Sequence, residues 1–466
     1  MRSLEVPRRL LVLSTSYPCD QGDGAGTFVR GFCKAAAAVG LEVEVLCPEL
    51  AHSRPQLQEP GIRVRRLGYM RPRGWQFLGA SPGAPEALSG SKLLFAPGLA
   101  YAARLTQAAA IEARRRPYLG LVSHWLLPSA LAGLGAPPSL PKVAIAHGSD
   151  VHLLGRMPGA AFLAGLLLRR TLAISFVSED LRQRFGRLLP PRERSLLATR
   201  SIVQPMGVEA PGPPPDQEAA FASAAAPAAA SAAAPAAAPA AAPAAAPAAA
   251  PAAAPAAART AAREAARAAL GLGPGPLVLW MGRLVPLKAP ERAIDVMEAL
   301  RSLVPGARLV LAGDGPLREA LRARVEAQGS GSPGPRAVLL GHVSGDQKER
   351  LLAASDALIL TSRTLPDGRT DSLPLVVLEA LVHGLPVVAA RVGGLESLGL
   401  PRDQLGLVPE GNQAAMAAAL GEALSRGPIP EPDRLALVAR FGWEAALPRI
   451  LAPILSHANE HGQRSR

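Results

Sequence analysis

Two cations and two carboxylates in the second half of the chain are placed where they could act on a ligand. Arg283 and Lys288 lie five apart in GRLVPLK, directly after the apolar run PLVLWM. Two positive side chains on the exit loop of a strand could hold a diphosphate and stabilise it as a leaving group, because each faces charge that develops as a bond breaks. Solvated loop charges are the plainer account. Asp371 and Glu379 stand eight apart in DSLPLVVLEALVHG. Pro374 can start a helix there, which sets Glu379 two turns in among apolar neighbours, where a carboxylate is expensive unless something hydrogen-bonds it. Sugar hydroxyls would do so, and Gly393 and Gly394, after the next apolar run, would let backbone approach the same ligand. A local cap or ion pair explains Glu379 equally simply.

The first half offers other candidates. Gly22, Gly24 and Gly26 fall in SYPCDQGDGAGTFV, between an apolar run and a helical pattern. Glycines there bring free amides to an anion, aided by the helix amino end, although the spacing is not that of the GxGxxG dinucleotide fingerprint. A turn without a ligand is the alternative. His147 ends VAIAHGSD, near Asp150 and His152. A lone strand-end histidine is more often structural than catalytic, and these spacings make no metal site, so no metal is expected. GDGP, residues 313–316, needs no ligand, since Asp314 can cap and Pro316 can open the next helix.

The elements that must position these residues alternate. RRLLVLSTS, LEVEVLCPE, LGLVSHW and PKVAIAHGSD read as strands separated by amphipathic helices, and PLVLWMGR, ARLVLAGDG, RAVLLGHV, DALILTS and PVVAARVGG repeat the grammar. Strands alternating with helices predict an α/β fold of two Rossmann-like, doubly wound domains. Ligands in such folds bind at the carboxyl ends of strands, where each candidate above lies. A PAAA repeat over residues 223–258 separates the halves; a proline in every turn prevents a persistent α-helix, so extended or disordered chain is expected. The predicted organisation is domains at 1–210 and 259–440, a Pro/Ala-rich linker at 211–258, and a final helix and tail at 441–466.

At 466 residues and 49% apolar composition the chain suits two folded domains rather than general disorder. Cys19, Cys33 and Cys47 are too few and too scattered for a disulfide framework or a zinc site, and suit a reducing cytosol. The basic amino terminus imitates a secretory signal, but LLVLS is short for that role and reads as a first strand. No stretch approaches the roughly 20 apolar residues of a membrane span. Residues 1–210 hold 26 Lys plus Arg against 14 Asp plus Glu, whereas the remainder is nearly balanced. The first half is therefore expected to meet something anionic, or to carry an Arg-rich surface of no specific purpose.

Taken in order, SHWLLPSAL, AHGSDVH, VSEDLRQRF, PMGVE, WMGRLVPLK, LVLAGDGPL, LGHVSGDQKERLLAASDALILTS, DSLPLVVLEALVHGLPVVA, VGG and FGWEAALPRIL resemble the GT-B-fold glycosyltransferases, specifically the retaining enzymes of glycosyltransferase family four. The resemblance implies a sugar moved from a nucleotide diphosphate sugar to an acceptor hydroxyl with retained configuration, in cell-surface glycan, glycolipid or exopolysaccharide synthesis. It implies no cofactor beyond that co-substrate. Arg283 and Lys288 would hold the diphosphate, Glu379 the ribose, Asp371 the donor sugar, and the backbone at Val343 the base; Gly393 and Gly394 would lie beside them. His147 would stand beside the reacting sugar, and Gly24 and Gly26 in the loop that approaches phosphate and acceptor. Asp371 is one methylene shorter than the family's usual Glu and precedes Ser372 rather than Gly, Met206 replaces an Asn, and Ala289 a Gly. No Asp-x-Asp occurs, which argues for metal independence.

The expected partners are a nucleotide-sugar donor, a glycan or lipid-linked acceptor and an anionic membrane, with a cytoplasmic location, peripheral at the inner face of the plasma membrane. Nucleic acid is not expected, the chain being 4% aromatic and lacking aromatic-lined basic motifs. Rival readings are a non-catalytic nucleotide-sugar or glycan-binding protein, and an epimerase or phosphorylase on the same fold.

Overall fold

The computed structural model describes residues 8–19, 23–50, 56–76, 95–211, 260–261, 263–268, 270–328 and 337–464. All but the first residue of the expected Pro/Ala linker therefore lies outside the described residues.

Strands with no polar face can only be buried between layers, and the chain supplies many. β1 (Arg9–Leu13) is RLLVL and β2 (Glu42–Pro48) is EVEVLCP. After β3 (Gln56–Glu59) and β4 (Ile62–Leu67) come β5 (Gly120–His124), β6 (Lys142–Ala146), β7 (Ala173–Phe176) and β8 (Ser201–Val203). Every residue of β5, β6 and β7 is buried, as expected of parallel strands covered on both faces. The eight strands run in the order β3-β4-β2-β1-β5-β6-β7-β8, and all neighbours are parallel except β3 with β4.

The covering helices show the matching period. α1 (Thr27–Ala38) buries Val29, Phe32, Cys33 and Ala36, one stripe at intervals of three and four. α2 (Phe95–Arg115), α3 (Ser149–Gly155), α4 (Ala160–Arg170), α5 (Glu179–Leu188) and α6 (Pro191–Thr199) complete the first lobe. The Ser178 side chain caps α5 by accepting from the Leu181 N–H at 3.3 Å.

The second lobe is a six-stranded, wholly parallel sheet. β9 (Leu277–Met281), β10 (Arg308–Ala312), β11 (Ala337–Gly341), β12 (Ala357–Leu360), β13 (Val387–Ala390) and β14 (Leu405–Val408) assemble in the order β11-β10-β9-β12-β13-β14. Its helices are α7 (Pro290–Leu300), α8 (Arg318–Gln328), α9 (Gly345–Ala354), α10 (Leu375–Val382), α11 (Gln413–Arg426) and α12 (Glu431–Phe441). In each lobe a core lies on both faces of the sheet. The strand order turns at β1 and β5 in one lobe and at β9 and β12 in the other, which opens a crevice at the carboxyl end of each sheet.

α13 (Trp443–Arg464) follows the break at Gly442 and packs on the first lobe. Its Leu447, Ile450, Leu451 and Ile454 join the first lobe's core, and Ile454 lies so close to Gly120 that a Cβ there would come within 2.7 Å of it. Trp443 rests on Gly31 and Gly207 and meets the Phe32 ring at 6.1 Å.

Candidate active site between the lobes

The loop from Gly282 to Ala289 leaves β9 and carries both predicted cations. Arg283 is exposed on it, whereas Lys288 is 13% exposed and its ammonium pairs with Asp371 Oδ2. Ser362 Oγ donates to the same oxygen at 3.0 Å. The turn beneath is braced from the core: Trp280 Nε1 donates to Thr361 Oγ1 at 3.1 Å, and that hydroxyl donates to the Ala289 carbonyl at 2.7 Å. Ala289 is fully buried at φ 45°, a left-handed conformation that an L side chain adopts at a cost and glycine without one.

Asp371 is held from the far side by Gly393 and Gly394. A Cβ on Gly393 would fall 1.8 Å from the Asp371 carbonyl oxygen, and the Gly394 N–H donates to the Ser372 carbonyl at 2.7 Å. The close approach that these glycines permit in this structure is between two loops of the protein itself. Gly26 has a similar local task, since it adopts φ 76° before α1 and a Cβ there would be 2.7 Å from the Ser16 backbone.

Glu379 lies on α10 with apolar residues before and after it, and its partner is Lys348 of α9, Nζ to Oε1 2.9 Å. Burial works against the charge on Lys348, but Glu379, Glu349 and Glu209 together outweigh it and hold the ammonium above its ordinary range. Sequence reasoning missed Lys348. It lies 31 residues before its partner on another helix, and only the packing of α9 beside α10 joins them. Asp314 has a wholly local role, accepting from the Gly315 N–H and from Arg318, each at 2.7 Å.

In the first lobe the buried carboxylate of Asp150 shapes the loop that bears His147. It accepts the N–H groups of Leu126 at 2.7 Å, Gly148 at 2.8 Å, Val151 at 3.0 Å and His147 at 3.2 Å, which ties the exit loops of β5 and β6 together. Burial pushes the Asp150 carboxyl up despite these bonds. His147 Nε2 stands 3.2 Å from His124 Nδ1, with the rings stacked at 14°. Burial lowers the imidazole of His147 to about 3, and burial together with the neighbouring His147 lowers His124 well below its ordinary range. One ring must therefore donate its N–H to the other as a neutral pair. Phe28 and Trp125 flank His147 with ring centroids at 4.8 and 4.9 Å.

The two carboxyl edges meet. A Cβ on Gly24 would come 2.6 Å from His342 Cε1, one on Gly148 would come 2.1 Å from Ser372 Oγ, and one on Gly394 would come 2.1 Å from the Ser178 Cβ. His147, Lys288, Asp371, Gly393 and Gly394 thus gather on one line of contact between the lobes, with Gly24 opposite His342 and Val343. The Val343 side chain is turned into the second lobe's core. Glu379 stands in the second turn of α10, eight residues after Asp371. Among the described residues no three His, Cys, Asp or Glu side chains are grouped to hold a metal ion.

Two doubly wound lobes with their strand ends opposed define the GT-B class of glycosyltransferase folds. Residues 23–198 match the family described as glycosyl transferase 4-like domain, and residues 275–426 match glycosyl transferases group 1. The chain belongs to this GT4-type, GT-B-fold glycosyltransferase family. It is 36% identical over 131 residues to the sulfoquinovosyl transferase SQD2 of Arabidopsis thaliana, a match covering 28% of this chain and 22% of that protein. The chain spans less than half the length of the first such relatives, 22 to 39%. Solved structures match along nearly the whole chain: a sucrose-phosphate synthase from Thermosynechococcus elongatus at TM-score 0.64 and 17% identity, covering 98% of this chain and 99% of that one. Anabaena HepE in complex with UDP-glucose aligns at TM-score 0.60 and 16% identity over 96% of this chain and 99% of its own. At such identities the likeness is one of fold.

Proposed function

We propose that the protein is a retaining, metal-independent hexosyltransferase that takes its sugar from a nucleotide diphosphate sugar and passes it to an acceptor hydroxyl in glycan, glycolipid or exopolysaccharide synthesis. The observation that carries this reading is the Lys288–Asp371 pair, set where the exit loops of β9 and β12 meet and closed against the loop of His147 across the lobe boundary. A lysine already neutralised by a carboxylate is poised for exchange. When a diphosphate arrives, Lys288 and Arg283 take it as counter-ions in place of a metal, and Asp371 is released to accept hydroxyls of the donor sugar. Glu379, ion-paired with Lys348, accepts from the ribose. The neutral imidazole of His147 faces the reacting sugar without adding charge, and closure of the lobes excludes water as the acceptor hydroxyl attacks on the face the diphosphate leaves.

A structural neighbour solved with UDP-glucose supports a nucleotide-sugar donor, and a relative named a sulfoquinovosyl transferase supports transfer of a sugar. The excess of basic residues in the first half supports an anionic acceptor and an anionic membrane at the cytoplasmic face. Among the described residues no helix is long and apolar enough to cross a membrane.

The test is a thermal-shift screen of UDP, GDP and ADP sugars. A donor at 100 times its Kd adds about 2.7 kcal/mol to the folded state, so one nucleotide should raise the melting temperature by several degrees. Transfer or slow hydrolysis of that donor should vanish in Glu379→Ala. Tight binding without turnover would make the protein a non-catalytic nucleotide-sugar-binding protein, and consumption of free phosphate a phosphorylase.

A further inference from the structure

A cavity of about 790 Å³ opens in the first lobe away from every residue assigned above. Its walls are the segment after β2, the segment after β4, and one face of α2. Three arginines, Arg71, Arg73 and Arg104, line it with one glutamate, Glu49. Glu49 is 8% exposed and pairs with Arg73 at 2.9 Å, which leaves the Arg73 side chain 64% exposed at the rim. Gln76, 3% exposed, accepts the Tyr69 N–H at 2.8 Å and fixes the loop that carries Arg71 and Arg73. Arg104 projects from α2, its Nη1 donating to Gln107 at 2.8 Å. Trp75 and Leu99, 58% and 71% exposed, occupy the same loop and helix.

We infer that this cavity is an acceptor subsite for a phosphate group. Its volume suits a sugar-sized ligand, and guanidinium forks match the paired oxygens of a phosphate better than any other common side chain does. The positive excess of the lining gives such a site its sign, and the buried Glu49 orients one arginine and can accept hydroxyls beside the phosphate.

The fold also fixes where the phosphate lies relative to the chemistry. All loops that follow parallel strands leave the sheet on one edge, so the cavity and His147 share that edge. Between the ends of β2 and β4 and the end of β6 lie three to four strand spacings, roughly 14–19 Å at ~4.8 Å each. An acceptor that uses both places is extended, with its phosphate that far from the attacking hydroxyl. This inference rests on the glycosyltransferase reading for the word acceptor, and on the cavity alone for the anion.

Full-length protein and the Arg71→Gln/Arg104→Gln variant, both residues being exposed, are titrated with glucose 6-phosphate, glucose and the nucleoside diphosphate found above, and sedimented with phosphatidylcholine vesicles with and without phosphatidylglycerol. Glucose 6-phosphate should bind where glucose does not, at least tenfold more weakly in the variant, with nucleotide affinity unchanged within twofold. Vesicle binding that requires phosphatidylglycerol, and is lost in the variant and in Trp75→Ala, would also uphold the site and assign the phosphate to a lipid headgroup. Anion binding that survives both substitutions, or an absence of binding in both arms, overturns the inference. Arginine-dependent anion binding with no nucleotide bound would leave the site standing while the donor reading falls.

Discussion

Lys288 and Asp371 decide both stability and ligand affinity, because each is only 13% exposed and each is the other's charge partner. Lys288→Met should cost about 3 kcal/mol by leaving a buried carboxylate unpaired, Asp371→Asn should also destabilise by leaving the ammonium unpaired, and Lys288→Met/Asp371→Asn should recover most of the loss. Chemical denaturation of the four proteins of the cycle reads this directly. Ala289 occupies a left-handed position whose strain works against the gain from burying its methyl, so Ala289→Gly should leave stability unchanged or raise it by up to about 1 kcal/mol, against the usual penalty for glycine. His124 and His147 make the fold acid-sensitive. Both are neutral when folded, yet in the unfolded chain each binds a proton near pH 6.5, so below that pH the unfolded state holds more protons and stability falls. The loss should begin near pH 6.5 and continue toward pH 3, at up to about 1.4 kcal/mol per pH unit for each ring. Urea midpoints between pH 7.5 and 5 should show it, and His124→Phe should flatten the slope.

At the scale of elements, α13 fastens the two ends of the chain together through Leu447, Ile450, Leu451 and Ile454. Ile454→Ala should cost about 3 kcal/mol, because the cavity it leaves opens in the first lobe's core against Gly120, which has no side chain to fill it. Limited proteolysis should then release the carboxyl-terminal helix at protease levels that leave the parent intact. Strands such as LVLWM, KVAIA and VVAA were legible in the sequence because a short apolar run rich in β-branched residues and bounded by turn residues is too short for a helix and suits a buried strand. The helix LVVLEALV was legible from its proline start, and the period of α1 from its apolar stripe. β3 and β4 were not, since QLQE has a single apolar residue and IRVRRL carries charges at half its positions, and both become strands only through pairing on the sheet. Lys348 was hidden for the same reason: a lysine in an amphipathic helix announces nothing until the packing of its neighbour supplies a carboxylate.

For the whole molecule, the contact between lobes is what would turn two nucleotide folds into one enzyme. A Cβ on Gly24 would meet His342 of the second lobe at 2.6 Å, so Gly24→Val should push the lobes apart with little effect on either core. Small-angle scattering should show a larger radius of gyration, the melting temperature should change by no more than about two degrees, and transfer should fall at least tenfold. Composition and order determined the alternation of strands and helices, the division into two lobes and the loops on which candidate residues stand, since these follow from local period, turn chemistry and the placement of polar groups at strand ends. Which charges meet was decided only in three dimensions. Lys288 finding Asp371 across 83 residues, Glu379 finding Lys348 rather than a bare cleft, and Gly148 closing on Ser372 from the other lobe all depend on strand order and lobe docking, which no local stretch of chain encodes.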